Sequence, residues 1–167
     1  MKTWLPKLKE KLEALAKSKG WKLDIKEIVE LGGSNSKIVN GIHTITNVRF
    51  EEKVIEYGGK IYKGLFAQFD NVFRCKISKD LYLKTDYIQF TNAIRQLKAQ
   101  IQKTPELARK FTKKGLEDIL AEKDRIDGFT WHHNEDEGIL ELVERGIHGD
   151  TSHIGGRNIW GGGTNYR

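Results

Sequence analysis

Four of the five histidines in the sequence, His132, His133, His148 and His153, fall within the last 36 residues. Imidazole is a common metal ligand and also the side chain that most readily exchanges a proton near neutral pH. An adjacent His-His pair followed by two further histidines is therefore raw material for a metal-dependent hydrolase. Cys75 is the only cysteine, which excludes an internal disulfide and a thiolate zinc cluster. Structural zinc sites usually contain cysteine and close all four coordination positions, whereas three imidazoles leave positions open for phosphate and water. The fifth histidine, His43, stands far from the others in sequence and reads as structural or exposed.

The elements that must position these side chains are short. Residues 129–133 are apolar and aromatic enough for a strand, residues 139–143 for a second, and the acidic, turn-rich residues 134–138 connect them. Residues 145–152 then read as a short helix. Neighbouring residues on a regular strand face opposite sides, so His132 and His133 do different jobs unless the strand ends beneath them. His148 and His153 are five apart, roughly 140° around an ideal helix, so His153 must lie at or beyond the helix end. There Gly155-Gly156 lets the chain turn. On this reading His148 is a metal ligand and His153 its companion. Trp131 packs the strand beneath the site, and Glu135, Asp136 and Glu137 form a solvated acidic turn within possible reach of an ion. Gly161-Gly162-Gly163 is no phosphate loop, because no helix signal follows it.

The run Asp127-Gly128-Phe129-Thr130-Trp131-His132-His133-Asn134 carries a resemblance, together with residues 138–143, Ile147-His148 and Ser152-His153-Ile154-Gly155-Gly156-Arg157. It resembles the HNH nucleases with a Trp-His-His motif. That group belongs to the His-Me finger superfamily, which includes the nuclease domains of colicin-like bacteriocins and polymorphic toxins. The tail Asn158-Ile159-Trp160-Gly161-Gly162-Gly163 is similar to the end of such domains, and a weaker likeness extends upstream through Phe66-Ala67-Gln68-Phe69-Asp70. The resemblance implies an α+β fold, with a C-terminal ββα-metal core at about residues 127–156 and an upstream helical and β-hairpin region. It implies His132 as a metal ligand beside His148 and His153, and His133 as the general base. The chemistry agrees, since a metal-bound nitrogen has no lone pair left for proton transfer. The implied cofactor is one divalent ion, Zn, Ni, Mg or Mn. One departure is plain: the central Asn expected near the second strand is absent, with Leu140 and Glu141 in that region and Asn134 too early to replace it.

Upstream, Leu5, Leu8, Leu12 and Leu15 mark one face of a helix that Pro6 opens and Gly20 ends, expected to pack on its own domain. Residues 32–36 form a loop and the best internal boundary, dividing an N-terminal helix and linker region (1–39) from a nuclease domain (40–167). Residues 48–57 and 60–66 read as strands of a hairpin turned by Gly58-Gly59. Cys75 reads as a small buried hydrophobe on a further strand. Asp86 is placed to cap a helix carrying Phe90, Ile94, Leu97 and Ile101, Thr104-Pro105 to start a second, and Thr112 to cap a third.

The net charge of +6 is unevenly distributed. Residues 126–167 hold 3 Arg, no Lys and 7 Asp or Glu, so the chemistry-bearing segment is itself acidic, at −4. Cations that replace phosphate counterions must then come from upstream. Residues 95–114 carry seven basic side chains against Glu106 alone. That makes Arg95, Lys98, Arg109, Lys110 and Lys113 the phosphate-contact candidates, with Arg157 a further one. No apolar run approaches the roughly 20 residues that span a bilayer, and the N-terminus opens on a charged amphipathic segment rather than a signal-peptide core.

The expected function is therefore a metal-dependent endonuclease acting on nucleic acid, DNA ahead of RNA. The resemblance makes it a toxin domain of interbacterial competition, neutralised by an acidic immunity protein. It would act in the cytoplasm of a target cell, after specialised secretion or as part of a larger toxin. A non-toxic DNA-processing or defence nuclease, an RNase toxin, and a catalytically inert nucleic-acid-binding module are the alternatives.

Overall fold

A computed structural model of the chain describes residues 4–22, 26–32 and 35–166. The N-terminal apolar repeat forms helix α1 (Trp4–Ser18), which ends where Gly20 takes φ +64°. The described part of its leucine stripe does not pack as expected. The side chains of Leu5 and Leu8 lie outside the described part, while Leu12 and Leu15 are 41% and 46% exposed and Ala16 is the buried residue. Of the loop expected at 32–36, positions 33 and 34 also lie outside the described residues.

Five strands follow: β1 (Glu27–Leu31), β2 (Ile38–Val39), β3 (Ile42–His43), β4 (Arg49–Tyr57) and β5 (Lys60–Gln68). The expected hairpin is the centre of this sheet, with β4 and β5 antiparallel from Arg49 opposite Gln68 to Tyr57 opposite Lys60. Gly58 and Gly59 both have positive φ, +58° and +77°, as a two-residue turn matched to strand twist requires. The order is β1-β5-β4-β3-β2, with β1 parallel to β5. Strands from both sides of residue 40 thus share one sheet.

The second sheet holds β6 (Asn71–Lys76), β7 (Phe129–His133) and β8 (Ile139–Glu144) in the order β6-β8-β7, antiparallel throughout. Both C-terminal strands stand where the sequence placed them, and Cys75 is buried on β6. Helix α2 (Asp86–Lys103) lies against β6 and against α3 (Lys113–Leu120), and α4 (Arg145–Asp150) follows β8 directly. The fold is α+β.

Two local expectations need correction. Asp86 is the first residue of α2 rather than its cap, and Thr85 at the cap makes no side-chain bond to the helix. Pro105 opens a 3-10 turn over Pro105–Lys110 instead of an α-helix. Of the two readings of His43, structural or exposed, the buried, structural one holds: its Nδ1 accepts from the Thr46 backbone N–H at 3.2 Å. Thr112 does cap α3, its Oγ1 accepting from Gly115 N at 3.0 Å.

One main core joins the two sheets to α2 and α3, through Phe66, Ile94, Leu97, Ile119, Trp131, Leu140, Leu142 and Trp160. Apolar burial contributes about 25 cal/mol per Å² removed from water, and these large side chains supply most of it. A smaller cluster of Val48, Phe50, Ala67, Phe69 and Val143 carries the first sheet up to the histidine segment.

Candidate metal centre

Strand β7 separates its two histidines. Trp131 and His133 share one face, both packing against Phe90 with ring centroids 6.5 and 5.6 Å away. His132 points the other way, toward His148 and His153, at 5.4 and 5.0 Å between ring centroids. This is the period-two alternation of a strand put to use.

Local bonds bring the other two imidazoles to His132. The Glu144 carboxylate accepts from Gly146 N at 2.9 Å and Ile147 N at 2.6 Å, which starts α4 at the end of β8 and sets His148 on its last turn. Thr151 Oγ1 then donates to Ile147 O at 2.7 Å. Beyond the helix, His153 Nδ1 lies 2.6 Å from Thr151 O. A carbonyl can only accept, so Nδ1 carries the proton and the His153 lone pair stays on Nε2. The Phe69 ring packs against all three imidazoles, at 4.9 Å from His132, 5.2 Å from His148 and 4.9 Å from His153.

The three can offer one nitrogen each, all within 4.8 Å of one another. His132 Nε2 is buried without a hydrogen-bond partner, and an orphaned lone pair at this depth is costly unless something coordinates it. Burial, and then the neighbouring His153, His148 and His133, hold His132 well below the ordinary imidazole pKa. Burial and then His153 push His148 down to about 4. Burial also lowers His153, against the opposing pull of the Thr151 carbonyl. All three are therefore neutral at pH 7, the state in which imidazole binds metal. The donor set fits a divalent ion held by nitrogen.

The opposite face of β7 holds a different constellation. His133 Nε2 lies 2.7 Å from Gln89 Oε1, 3.1 Å from Arg157 Nη2 and 3.9 Å from Asp86 Oδ1. Arg157 is buried and paired with Asp86. Where β7 ends the two faces meet, and His132, His133, His148, His153 and Arg157 line one cleft of about 190 Å³. Gly155 and Gly156 make that meeting possible, and not through a left-handed backbone. Gly155 has φ −153°, which any residue adopts. A Cβ on Gly155 would stand 2.5 Å from His133 O, and one on Gly156 1.9 Å from Asn134 O. The glycines admit close approach of two backbones.

The acidic turn is less solvated than the sequence suggested. Glu135 is fully buried, paired with Lys53 and accepting from Gln68 Nε2 at 3.0 Å. Asp136 is exposed and bridges to Arg74 at 3.0 Å. Glu141, directly across the ladder from His132, is buried and also bonded to Arg74, at 3.0 Å. Burial raises its pKa. Sequence reasoning missed Gln89 and Phe69 as site residues and gave Asp86 only a capping role. No local pattern marks them, because their contribution comes from tertiary contact across 44 to 84 residues: His133 with Gln89, and Phe69 with His153.

Of the upstream cations, Arg95 and Lys98 both pair with Glu122, at 2.7 and 3.2 Å. Arg109, Lys110 and Lys113 are exposed and make no ion pair among the described residues. They flank Phe111, which packs on Phe129 at 5.4 Å, four residues along β7 from His133.

A family model described as the DNase/tRNase domain of colicin-like bacteriocin matches residues 59–155, more than half of the chain. Comparison with curated proteins and with solved structures finds no match. The matched residues run from β5 through His153 and include all four clustered histidines.

Two outcomes follow from the geometry. His132→Ala, His148→Ala and His153→Ala should each weaken zinc binding by at least about 10-fold in calorimetric titration, whereas His133→Ala should bind zinc like the parent. Equal affinity in all four variants would refute the three-imidazole site. For the metal-free protein, folded pKa values below the unfolded value of about 6.5 mean that the unfolded chain takes up more protons on acidification. Stability attributable to His148 is fully present above pH about 6.5 and is lost as pH falls toward about 4. Thermal melts across that window should therefore decline more steeply in the parent than in His148→Asn.

Proposed function

The chain belongs to the family of DNase/tRNase domains of colicin-like bacteriocins, and we propose that it is a metal-dependent endonuclease of the HNH, His-Me finger kind. Its ββα-metal core would be β7, β8 and α4, centred on the Trp131-His132-His133 run. The observation that carries this reading is the convergence of three buried imidazoles with His133 and a buried arginine in one cleft.

His132, His148 and His153 would hold one divalent ion, Zn, Ni, Mg or Mn. When bound, the ion supplies Lewis-acid charge that polarises the scissile phosphate and steadies the leaving oxygen. His133 takes a proton from the attacking water. Its place next to His132 keeps it out of the ligand set while β7 still delivers it to the same cleft. The water oxygen bonds to phosphorus as the bond to the ester oxygen breaks, with no covalent intermediate on the protein. Arg157 lines the cleft beside His133 as a further phosphate contact, its charge shared with Asp86. Arg109, Lys110 and Lys113 hold the nucleic acid further along, and Arg95 and Lys98 contribute less because Glu122 already engages them.

The nuclease domain spans residues 40–167, and the 1–39 region adds edge strands β1 and β2 to its sheet. The biological role is that of a toxin in interbacterial competition, acting inside a target cell after specialised secretion or release from a larger toxin. An acidic immunity protein matching the basic surface would protect the producer. DNA is the preferred substrate. An RNA substrate is the second reading, favoured by a family description that pairs DNase with tRNase.

The deciding assay is cleavage of plasmid DNA and of tRNA across several divalent ions, with and without chelator. Plasmid nicking that chelator abolishes is the expected result, and cleavage of neither substrate with any ion would refute the reading. His133→Ala should lower the rate by about 10²–10⁴-fold, as loss of a general base does. In binding across a salt series, Arg109→Glu/Lys110→Glu/Lys113→Glu should reduce the slope of log affinity against log salt by up to about 0.9 for each phosphate the variant no longer neutralises. Arg95→Glu/Lys98→Glu should change it less. An unchanged slope in the triple variant would make that patch a solvated face.

A further inference from the structure

His133 is bonded through the nitrogen that its neighbours identify most clearly. Gln89 is fully buried on the first turn of α2. Its Nε2 donates to three backbone carbonyls, Tyr82 O at 2.8 Å, Leu81 O at 2.9 Å and Lys84 O at 3.1 Å. Carbonyls cannot donate, so the reversed amide would set Oε1 against three acceptors. The amide orientation is thereby determined by chemistry. Oε1 must be the atom 2.7 Å from His133 Nε2, and an amide oxygen can only accept. His133 Nε2 then carries the proton, and the lone pair of the neutral ring resides on Nδ1.

The Arg157 contact points the other way, since a guanidinium N–H facing Nε2 at 3.1 Å would favour a lone pair there. Gln89 prevails. Its contact is shorter, and its amide is held by three bonds of its own. Arg157 has the Asp86 carboxylate as a partner for its charge.

We infer that Gln89 is the positioning residue that sets the tautomer of His133, so that Nδ1 is the atom that accepts the proton from water. The inference rests on the proposed role of His133 as general base. Gln89 touches neither substrate nor ion and acts only through the imidazole. Asp86, 3.9 Å from the same Nε2, balances the charge of Arg157 when the ring becomes cationic after proton transfer.

The test reads the tautomer directly. Nitrogen-15 NMR of the imidazoles, recorded on metal-free and zinc-loaded protein at pH about 8 where an ordinary imidazole is neutral, distinguishes the protonated ring nitrogen. The His133 signals are identified by their loss in His133→Asn. The expected spectrum of the parent has the proton on Nε2. Gln89→Met should show mixed tautomers, and Gln89→Glu, which keeps an acceptor oxygen, should restore Nε2–H. In cleavage, Gln89→Met should lower kcat by at least about 10-fold, toward the ~10⁴-fold loss of a wrongly held base, with KM and zinc affinity unchanged. A proton on Nδ1 in the parent, or Nε2–H retained in Gln89→Met, would overturn the inference. Should Gln89→Met fail to fold, the spectra of the parent and of Gln89→Glu decide. A parent that cleaves nothing would refute the nuclease reading, while the tautomer spectra would still judge Gln89.

Discussion

Strand alternation at the end of β7 is the constraint on which the site depends. Two adjacent histidines on a paired strand must face opposite ways, so each needs its own surroundings, built from different parts of the chain. His132 is met by α4 and the segment after it, and His133 by the start of α2 and by Arg157. A one-residue slip in the pairing of β7 with β8 would exchange the two faces and abolish both. The register is held from Phe129 opposite Glu144 to His133 opposite Leu140, with Trp131, Leu140 and Leu142 buried. The core that fixes the register is therefore also what separates the surroundings of His132 from those of His133.

Dryness does the rest on the His132 face. Phe69 packs on three imidazoles at once, and the resulting burial lowers the proton affinity of each. An apolar ring beside a metal site excludes competing water and keeps the ligands neutral without any charged group. Thr151 completes the arrangement. Its carbonyl orients His153, and its hydroxyl lies 2.7 Å from Thr46 Oγ1, which in turn lies 2.9 Å from the buried His43. The isolated fifth histidine thus braces, through two threonines, the loop between two ligand candidates. Its burial has a structural cause.

How much of this the sequence disclosed follows from the range of each interaction. Both strands, the short helix after them and the hairpin at Gly58-Gly59 depend on local patterns of period two and on turn residues, and they stand where expected. The grouping of His132, His148 and His153 also follows from elements adjacent in sequence. Gln89, Phe69 and the pairing of Asp86 with Arg157 do not, because no local pattern announces a contact across tens of residues. The burial of Glu135 was illegible for the same reason: its partners Lys53 and Gln68 come from the other sheet. An acidic turn looks solvated until the lysine that neutralises it is known.

That last point resolves the charge imbalance of the C-terminal segment. By count it is acidic, an unpromising place to hold a polyanion. In the fold most of that acidity is engaged internally. Glu135 faces Lys53, Asp136 and Glu141 share Arg74, Glu144 caps α4, and Asp127 accepts from Thr112 at 2.7 Å. A carboxylate paired with a cation projects little field beyond a Debye length of about 8–10 Å at physiological salt. The potential around the cleft is then set less by the formal charge of its own segment than by the cations other elements bring to it. Arg74 and Lys53, far upstream in sequence, offset part of the charge of the turn next to His133, while the exposed Arg109, Lys110 and Lys113 extend positive charge beyond it. The acidic strand–turn–strand is therefore less negative in the fold than its count suggests, because Lys53 and Arg74, brought by other strands, offset part of its charge.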